Sequence, residues 1–337
     1  MLNNKSILIT GGTGSFGKKF IEIVLKRYKP KKIIIYSRDE LKQFEMQQKW
    51  PFRAKTPFRY FIGDVRDLER LKVAMKGVDI VIHAAALKQV PIGEYNPFEV
   101  IKTNVMGAQN VIDASIYSGV KKVIALSTDK AAAPINLYGA TKLASDKLFV
   151  AANNHIGVHK LGFSVVRYGN VMGSRGSVIP VFLKQIKTGK LSITHKDMTR
   201  FNITLEEGVN FVIKCIRMMI GGEIFVPKIP AYKVVDVAKA ISPKAKYKII
   251  GVRPGEKIHE EMITESDSIN TLEFKEYYSI IPDNKFINLK RQKQFSKFGK
   301  KCKIGFSYNS LKNKNRLSIK QLRNLILKNV PGSKNII

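Results

Sequence analysis

Five residues between positions 128 and 142 carry side chains suited to acid–base chemistry. They are Thr128, Asp129, Lys130, Tyr138 and Lys142. The first three follow an apolar run typical of a buried strand, and the last two stand four positions apart, about one turn along one face of a helix. The strand end and the first turns of a helix beginning near Asn136 would bring all five into one space. Together they offer an acid, a base, a phenol and a cation able to activate that phenol.

The glycine spacing near the N-terminus predicts a site for a dinucleotide. Gly11, Gly14 and Gly17 stand between the apolar run 6–10 and an amphipathic helical pattern. Glycines permit a tight turn, and the first turn of the helix offers unpaired N–H groups to a pyrophosphate. Because a strand and a helix flank the motif, we interpret it as a cofactor site.

The end of the next apolar run, 32–36, indicates which dinucleotide binds. In a dinucleotide-binding fold this strand end faces the adenine ribose. Ser37 and Arg38, with Lys42 one turn later, suit a 2′-phosphate better than a free hydroxyl. We therefore predict NADP as the cofactor. The alternative is a solvated charged turn.

Alternating strand and helix patterns predict the fold class. Apolar strands that alternate with helices form a parallel sheet covered on both faces. We expect an α/β protein with a Rossmann-type doubly wound parallel sheet and a smaller C-terminal α/β substrate-binding domain. The expected division is an NADP-binding domain over 1–167 with roughly 200–227 returning to it, a substrate-binding domain over 168–199 and 228–280, and a basic C-terminal extension over 281–337.

Individual elements can be predicted along the same pattern. A long helix is expected from position 96 and would hold Thr103 and Asn104. Arg253 stands at a predicted strand end before a Pro-Gly turn, which suits a diphosphate clamp, although an exposed arginine in a turn is the alternative. The later elements expected are a helix over 205–219, a strand over 222–226, a helix from Tyr232 and a helical pattern over 319–327.

Composition limits the class of protein. The chain has 337 residues, 44% of them hydrophobic, which is enough for a sizeable core. No apolar run approaches the roughly 18–20 residues of a membrane helix. The first residues lead directly into a strand pattern, so no signal peptide and a cytoplasmic location are expected. Cys215 and Cys302 predict no disulfide framework, and the histidine spacing predicts no metal site.

The net charge of +33 is extreme and is concentrated late in the chain. No acidic residue follows Asp283, while fifteen lysines and arginines do. We interpret the excess as a lysine-biased surface and expect no specific nucleic-acid partner, because no binding module or aromatic platform accompanies it. The rival interpretation is a non-catalytic protein that binds RNA or an acidic membrane through its basic tail. Truncation after about Ser279 would separate the two.

Several motifs together resemble a known family. The glycine motif, the small residues 84–86 and the Tyr138–Lys142 spacing resemble the extended short-chain dehydrogenase/reductases. Longer stretches within residues 4–265 resemble the inverting UDP-N-acetylglucosamine 4,6-dehydratases of the pseudaminic acid route, in which flagellin is glycosylated. These stretches are 36–42, 62–67, 83–88, 127–130, 167–170 and 253–256.

The resemblance implies contacts for two ligands. The residues that would contact NADP are Gly11, Thr13, Gly14, Ser15, Phe16, Gly17, Ser37, Arg38, Asp39, Glu40, Leu41, Lys42, Asp64, Val65, Ala84, Thr103, Asn104, Tyr138 and Lys142. Those that would hold UDP-N-acetylglucosamine are Lys88, Thr128, Asn170, Arg175, Thr194 and Arg253. It also implies a homo-oligomer, a hexamer or a dimer.

The family's mechanism assigns a role to each residue of the opening set. Tyr138, with a pKa lowered by Lys142 and the cofactor, would take the proton of the sugar 4-hydroxyl, near which Thr128 would donate a hydrogen bond. Lys130, with a lowered pKa, would remove the C5 proton, and Asp129, with a raised pKa, would protonate the departing 6-hydroxyl. An ion pair capping the strand end is the alternative for Asp129 and Lys130.

Two departures and two rival activities remain open at the level of sequence. Asn202 stands where the family usually has tryptophan, and Gln89 where a histidine commonly follows the lysine. Both could alter the preference for the sugar. The rivals are a UDP-sugar 4-epimerase and a 4,6-dehydratase that retains configuration at C5. Retaining enzymes commonly carry Asp-Glu where this chain has Asp129-Lys130, which favours inversion.

Overall fold

In the part of the chain that the structure describes, ten strands form one central sheet. The computed structural model describes residues 1–156, 160–174, 177–186, 189–244, 246–282, 297 and 299–335. In chain order the strands are β1 Ser6–Thr10, β2 Lys32–Ser37, β3 Phe58–Ile62, β4 Ile80–His83, β5 Lys122–Thr128, β6 Gly162–Tyr168, β7 Lys190–Ile193, β8 Thr199–Phe201, β9 Ile224–Pro227, β10 Ala231–Lys233, β11 Lys246–Ile249, β12 Glu261–Ile263, β13 Thr271–Glu273, β14 Tyr277–Ile280, β15 Lys300–Lys301 and β16 Tyr308–Asn309.

Helices cover the sheet and connect its strands. They are α1 Ser15–Arg27, α2 Glu40–Lys49, α3 Leu68–Met75, α4 Val90–Tyr95, α5 Pro97–Ile101, α6 Gly107–Tyr117, α7 Leu137–Ala151, α8 Val178–Gln185, α9 Leu205–Met218, α10 Val234–Ile241 and α11 Ile319–Asn329. None of the described helices is long and apolar enough to cross a membrane.

The strand order confirms the expected Rossmann-type α/β fold. The order across the sheet is β15-β13-β14-β9-β6-β5-β4-β1-β2-β3, and the strands from β3 to β9 run parallel. Every residue of β1 and β6 is buried, as expected for strands covered on both faces. The chain reverses its winding direction between β1 and β4, and the carboxyl ends of strands at such a point form a binding crevice.

The described part of 281–337 is built into the fold rather than appended to it. β13, β14 and β15 extend the central sheet by antiparallel pairing, although 228–280 and 281–337 were expected to lie outside it. Tyr308 belongs to the main hydrophobic core, and Leu322 and Ile326 of α11 belong to a second core together with α8 and α10. Truncation after Ser279 would therefore disrupt both cores. The division into domains stays a prediction.

Two helix predictions need correction. The helix expected from Tyr232 begins at Val234, because Tyr232 pairs with Arg200 in the β8–β10 ladder. The helix expected to run unbroken from position 96 consists of α5, a π-helical turn at Lys102–Met106, and α6. That turn contains the buried residues Thr103 and Asn104, in line with the tendency of π-turns to occur at functional sites.

Candidate active site

The end of β5 and the start of α7 bring the five opening residues to one cavity. The cavity has a volume of about 680 Å³ and is lined by Thr128, Asp129, Lys130, Tyr138 and Lys142. Asn136 caps α7 by accepting a hydrogen bond from the Gly139 N–H at 2.7 Å. A Cβ atom on Gly139 would lie 2.2 Å from the Lys130 carbonyl oxygen, so only glycine lets α7 approach the turn after β5 this closely.

Lys130 lies between two carboxylates. Its Nζ is 3.1 Å from Asp129 Oδ1 and 3.1 Å from Glu260 Oε1. The lysine side chain is 24% exposed, whereas both acidic side chains are 1% exposed. Burial lowers the pKa of Lys130, but the attraction of Asp129 and Glu260 outweighs it, so the pKa is raised. This direction is opposite to the one expected of a lysine base.

At Asp129, unlike at Lys130, the effect of burial on the pKa outweighs the attraction of the neighbouring opposite charge. Burial raises the pKa of its carboxyl group, and repulsion from Glu260 raises it further, while Lys130 acts in the other direction. Asp129 Oδ1 accepts a hydrogen bond from the Thr128 hydroxyl at 2.9 Å, and Oδ2 has no hydrogen-bond partner among the described residues. A raised pKa agrees with the direction required of an acid.

The tyrosine–lysine pair occupies the first two turns of α7. Burial raises the pKa of Tyr138 to about 12, opposed by the Lys130 charge and a hydrogen bond with Thr128. The lowering predicted for this pKa depends on the bound cofactor as well as on Lys142, and it stays a prediction. Burial lowers the pKa of Lys142, and the carboxylate of Asp146, one turn along the helix, opposes that shift.

Buried polar residues behind the cavity were missed by the sequence analysis. Asp146 Oδ2 accepts a hydrogen bond from the Ser127 hydroxyl at 2.8 Å and another from Arg167 Nη2 at 3.2 Å. These contacts tie α7 to β5 and β6. The signal available was a charged residue inside each apolar pattern, Asp146 in a helix and Arg167 in a strand.

The glycine-rich turn after β1 forms a cradle for a phosphate group. Gly11 has φ +64°, and a Cβ atom there would lie 2.9 Å from Ala85 Cα. α1 begins after Gly14 without a side-chain cap and without an acidic residue in its first turn. In contrast, Asp39 and Asp67 cap α2 and α3. The first N–H groups of α1 are thus available to an anion, so the residues fit a dinucleotide.

The end of β2 presents basic groups to the same cavity. The Ser37 and Thr13 hydroxyl oxygens are 2.8 Å apart. Asp39 caps α2 by accepting from the Lys42 N–H at 2.9 Å and also pairs with the Lys42 ammonium. Its carboxylate is therefore already engaged. Arg38 is 54% exposed, and its Nη1 lies 3.5 Å from Asp64 Oδ2.

Most residues predicted to contact the cofactor line the cavity. Beyond Tyr138 and Lys142 they are Gly11, Thr13, Gly14, Ser15, Phe16, Ser37, Arg38, Asp39, Lys42, Asp64, Val65, Ala84 and Thr103. Gly17, Glu40, Leu41 and Asn104 do not belong to the lining. Glu40 and Leu41 are exposed at the start of α2. Asn104 instead holds the loop after β4, since its amide exchanges hydrogen bonds with the Leu87 backbone at 2.8 and 2.9 Å.

The residues predicted to hold the nucleotide sugar are more scattered. Lys88 and Asn170 line the cavity, as does Gln89. Thr194 is buried, and Arg253 is 64% exposed with its Nε 3.7 Å from Glu256 Oε2; neither belongs to the lining. Arg175 lies outside the described residues. Asn202 is buried, and its backbone N–H donates to the Pro230 carbonyl at 2.8 Å.

Sequence comparison identifies a protein family and relatives that this chain resembles. The sequence profile described as polysaccharide biosynthesis protein matches residues 7–282. An inverting UDP-N-acetylglucosamine 4,6-dehydratase of Campylobacter jejuni is 59% identical over 97% of this chain and 98% of the relative. A UDP-glucose 4-epimerase of Rickettsia canadensis is 42% identical over 97% of this chain and 96% of the epimerase.

Solved structures share the fold. Pen from Bacillus thuringiensis superposes with a TM-score of 0.87 at 38% identity and covers 100% of both chains. A dTDP-glucose 4,6-dehydratase from Streptomyces venezuelae, solved with NAD bound, has a TM-score of 0.66 at 20% identity over 75% of this chain and 86% of its own. At 20% identity, the similarity to the dTDP-glucose 4,6-dehydratase shows only a shared fold.

Proposed function

The chain belongs to the polysaccharide biosynthesis protein family, and from this membership we propose that it is an inverting UDP-N-acetylglucosamine 4,6-dehydratase. Its product is UDP-2-acetamido-2,6-dideoxy-β-L-arabino-hexos-4-ulose. The observation that carries the proposal is the contact between Asp129 and Lys130 in the cavity that also contains Tyr138 and Lys142. An epimerase needs only the second pair.

The cofactor of the proposed reaction is a nicotinamide dinucleotide. A bound dinucleotide would supply hydride transfer, from sugar carbon C4 and back to C6, so the overall reaction would be a dehydration without net oxidation. The cradle at Gly11 and the first turn of α1 would hold its pyrophosphate. Tyr138 would accept the proton of the 4-hydroxyl, and the ammonium of Lys142 would stabilise the phenolate.

The Asp129–Lys130 contact would supply both partners of the elimination. Moving one proton across the 3.1 Å contact from the Lys130 ammonium to Asp129 gives a neutral amine beside a carboxylic acid. The amine then takes the C5 proton, the carboxylic acid protonates the departing 6-hydroxyl, and water leaves. The pair returns to ammonium and carboxylate. When C6 is reduced, C5 would take a solvent-derived proton on the opposite face, which completes the product and inverts C5. This internal transfer would make Lys130 a base although its pKa toward solvent is raised.

Product analysis tests this function directly. The protein is incubated with UDP-N-acetylglucosamine in deuterated water, and the sugar is examined by NMR. We expect a 4-keto, 6-deoxy product with deuterium at C5 and inverted configuration at that carbon. UDP-N-acetylgalactosamine as the product would establish the epimerase instead, and an unchanged C5 configuration would establish a retaining dehydratase.

We propose NADP rather than NAD as the dinucleotide. Asp39, the acidic residue nearest the strand end, is engaged in capping α2, while Arg38 and Lys42 line the cavity. Replacing Arg38 by alanine should weaken NADP binding about 10- to 100-fold, because a charge-assisted hydrogen bond contributes about 1.5–3 kcal/mol. NAD binding should not change. Titration of both cofactors measures this, and tighter binding of NAD by the unmodified protein would contradict it.

We propose four finer assignments from the same family membership. The enzyme is a hydro-lyase located in the cytoplasm. Its product enters pseudaminic-acid-type nucleotide-sugar synthesis, which serves flagellin glycosylation. The protein forms a homo-oligomer, a dimer or a hexamer. Apolar side chains exposed near the cavity support the oligomer, since Ile92, Tyr95 and Phe98 are 65%, 87% and 60% exposed. Light scattering measures the oligomeric state.

A further inference from the structure

The loop that follows β6 presents polar side chains to the cavity. Asn170 and Ser174 both belong to the cavity lining. Asn170 Oδ1 is buried and has no hydrogen-bond partner among the described residues. A buried acceptor without a partner costs free energy, so this oxygen suits a ligand that donates a hydrogen bond. The position of the loop therefore affects what the cavity binds.

Two parts of the fold hold this loop from opposite ends of the chain. The carbonyl of Asn170 accepts from the Ile203 N–H at 3.2 Å, and the Met172 N–H donates to the Ile203 carbonyl at 2.8 Å. The side chain of Met172 belongs to the second core, together with Val330. The loop thus lies between the segment that joins β8 to α9 and the C-terminal end of α11.

The contact with the C-terminal end is made at Gly173. This glycine has φ +69°, and a Cβ atom there would lie 2.9 Å from Val330 Cγ2. Among the described atoms, the three nearest to that Cβ position all belong to Val330. Val330 is itself fixed, since its N–H donates to the Ile326 carbonyl at 2.9 Å and its carbonyl accepts from the Ser333 hydroxyl at 2.8 Å. The valine side chain therefore supports the loop backbone directly.

We propose that Val330 is a positioning residue for the nucleotide sugar: its side chain packs against Gly173 and thereby fixes the loop that presents Asn170 and Ser174 to the cavity. This inference rests on the proposed dehydratase function and adds to it a role for the C-terminal region. The dinucleotide cradle has no such dependence. It lies between β1 and α1, and none of the described residues of these elements belongs to the second core.

The variant Val330→Ala tests the role by separating KM from kcat. It removes the two methyl groups that face Gly173. The loop then has to be ordered by the sugar, so the KM for UDP-N-acetylglucosamine should rise about 5- to 30-fold, the cost of ordering about one further backbone residue. The value of kcat should fall less than about threefold, because the reacting groups are unchanged. The dissociation constant of NADP should also change less than about threefold.

The matched control is Val237→Ala. Val237 is fully buried in α10 and belongs to the same second core, so the same two methyl groups are removed from it. A loss of stability similar to that of Val330→Ala is expected. The KM of the control should change less than about twofold, which separates positioning of the loop from general weakening of the core. Equal KM values for the two variants would overturn the positioning role.

A double-mutant cycle tests the contact itself. Gly173→Ala adds backbone strain, because φ is positive, and a clash with Val330 Cγ2. The strain is the same in both backgrounds, whereas Val330→Ala removes the clash and leaves Val330 Cβ, 3.6 Å from the new atom. Gly173→Ala should therefore raise the KM at least about threefold less in the Val330→Ala background. Additive effects on KM would contradict the contact.

Further outcomes separate the inference from the function on which it rests. An NADP dissociation constant that rises as much as the KM would overturn the selective role of Val330. If Val330→Ala does not fold, Gly173→Ala alone decides, since an unchanged KM would overturn the inference. Failure of the unmodified protein to convert UDP-N-acetylglucosamine would overturn the dehydratase function. Calorimetric titration of that ligand then replaces the KM, and equal affinities of Val330→Ala and Val237→Ala would overturn the positioning role.

Discussion

The pKa of Lys130 is determined by the carboxylates that contact it. A lysine base was predicted from the family resemblance, but the raised pKa follows from contacts with Asp129 and with Glu260, which is 130 positions away in the chain. No local pattern could indicate the second contact. The sequence therefore predicted which residue types meet, whereas their protonation depends on long-range packing.

Replacing Lys130 by methionine tests its part in proton transfer. The variant keeps the length of the side chain and removes the amine. We expect turnover to fall about 10²- to 10⁴-fold, the usual value of a general base. UDP-N-acetylglucosamine recovered from deuterated water should carry no deuterium at C5. Deuterium uptake equal to that of the unmodified protein would remove Lys130 from the mechanism.

His83 should make the stability of the protein depend on pH. It is buried at the end of β4, where its Nδ1 lies 2.9 Å from the Thr10 hydroxyl, and burial together with the Lys142 charge lowers its pKa from 6.5 to about 3. The unfolded chain then binds a proton that the folded chain does not. Stability is present above pH 6.5 and is lost as the pH falls from there toward 3.

The variant His83→Gln isolates this contribution. Between about pH 6 and 4, the free energy of unfolding of the unmodified protein should fall by about 1.4 kcal/mol per pH unit more steeply than that of the variant. Urea unfolding at several pH values measures both slopes. Equal slopes would mean that His83 becomes protonated in the folded protein.

At the scale of elements, the contact between α7 and the turn after β5 is a tight constraint on the site. The sequence predicted that these two elements meet, because strand ends and the helices that follow them are local patterns. It did not predict how closely they meet. The 2.2 Å distance from a Cβ on Gly139 to the Lys130 carbonyl oxygen depends on the packing of α7 against β5 and β6.

Gly139→Ala should therefore push α7 away from Lys130. We expect a loss of stability of about 1–3 kcal/mol from overpacking, together with a loss of turnover. Gly208→Ala in α9 is the matched control, since the nearest atom to its Cβ is 3.8 Å away. That change should stabilise the protein by about 0.5–1 kcal/mol. Thermal unfolding compares the two, and a neutral Gly139→Ala would contradict the close approach.

At the scale of the whole molecule, the basic C-terminal region has a structural role that its composition did not indicate. Its charge suggested an extension, but β15 and β16 pair with β13 and β12, and α11 packs into the second core. Strands of two residues leave almost no periodicity to detect. The parallel half of the sheet was predictable because most of its strands are nearly continuous apolar runs.

Leu322→Ala tests whether α11 contributes to the stability of the folded chain. The side chain is fully buried in the second core. Its truncation should cost about 2–5 kcal/mol, as for other buried leucines. Lys320→Ala on the exposed side of the same helix should change stability by less than about 0.5 kcal/mol. Urea unfolding measures both, and equal effects would show that α11 is not part of the core.

Glu260, which contacts Lys130, donates its backbone N–H to the Ser310 hydroxyl at 2.9 Å and accepts from the Ser310 N–H at 2.8 Å, and these bonds have a consequence for the order of events during synthesis. Chains emerge from the ribosome with the N-terminal part first, and that part holds the glycine turn and the parallel strands. A nascent chain can therefore form its dinucleotide cradle well before the segment around Ser310 has been translated. The support of Glu260 beside Lys130 is therefore completed only after the cradle segment has emerged.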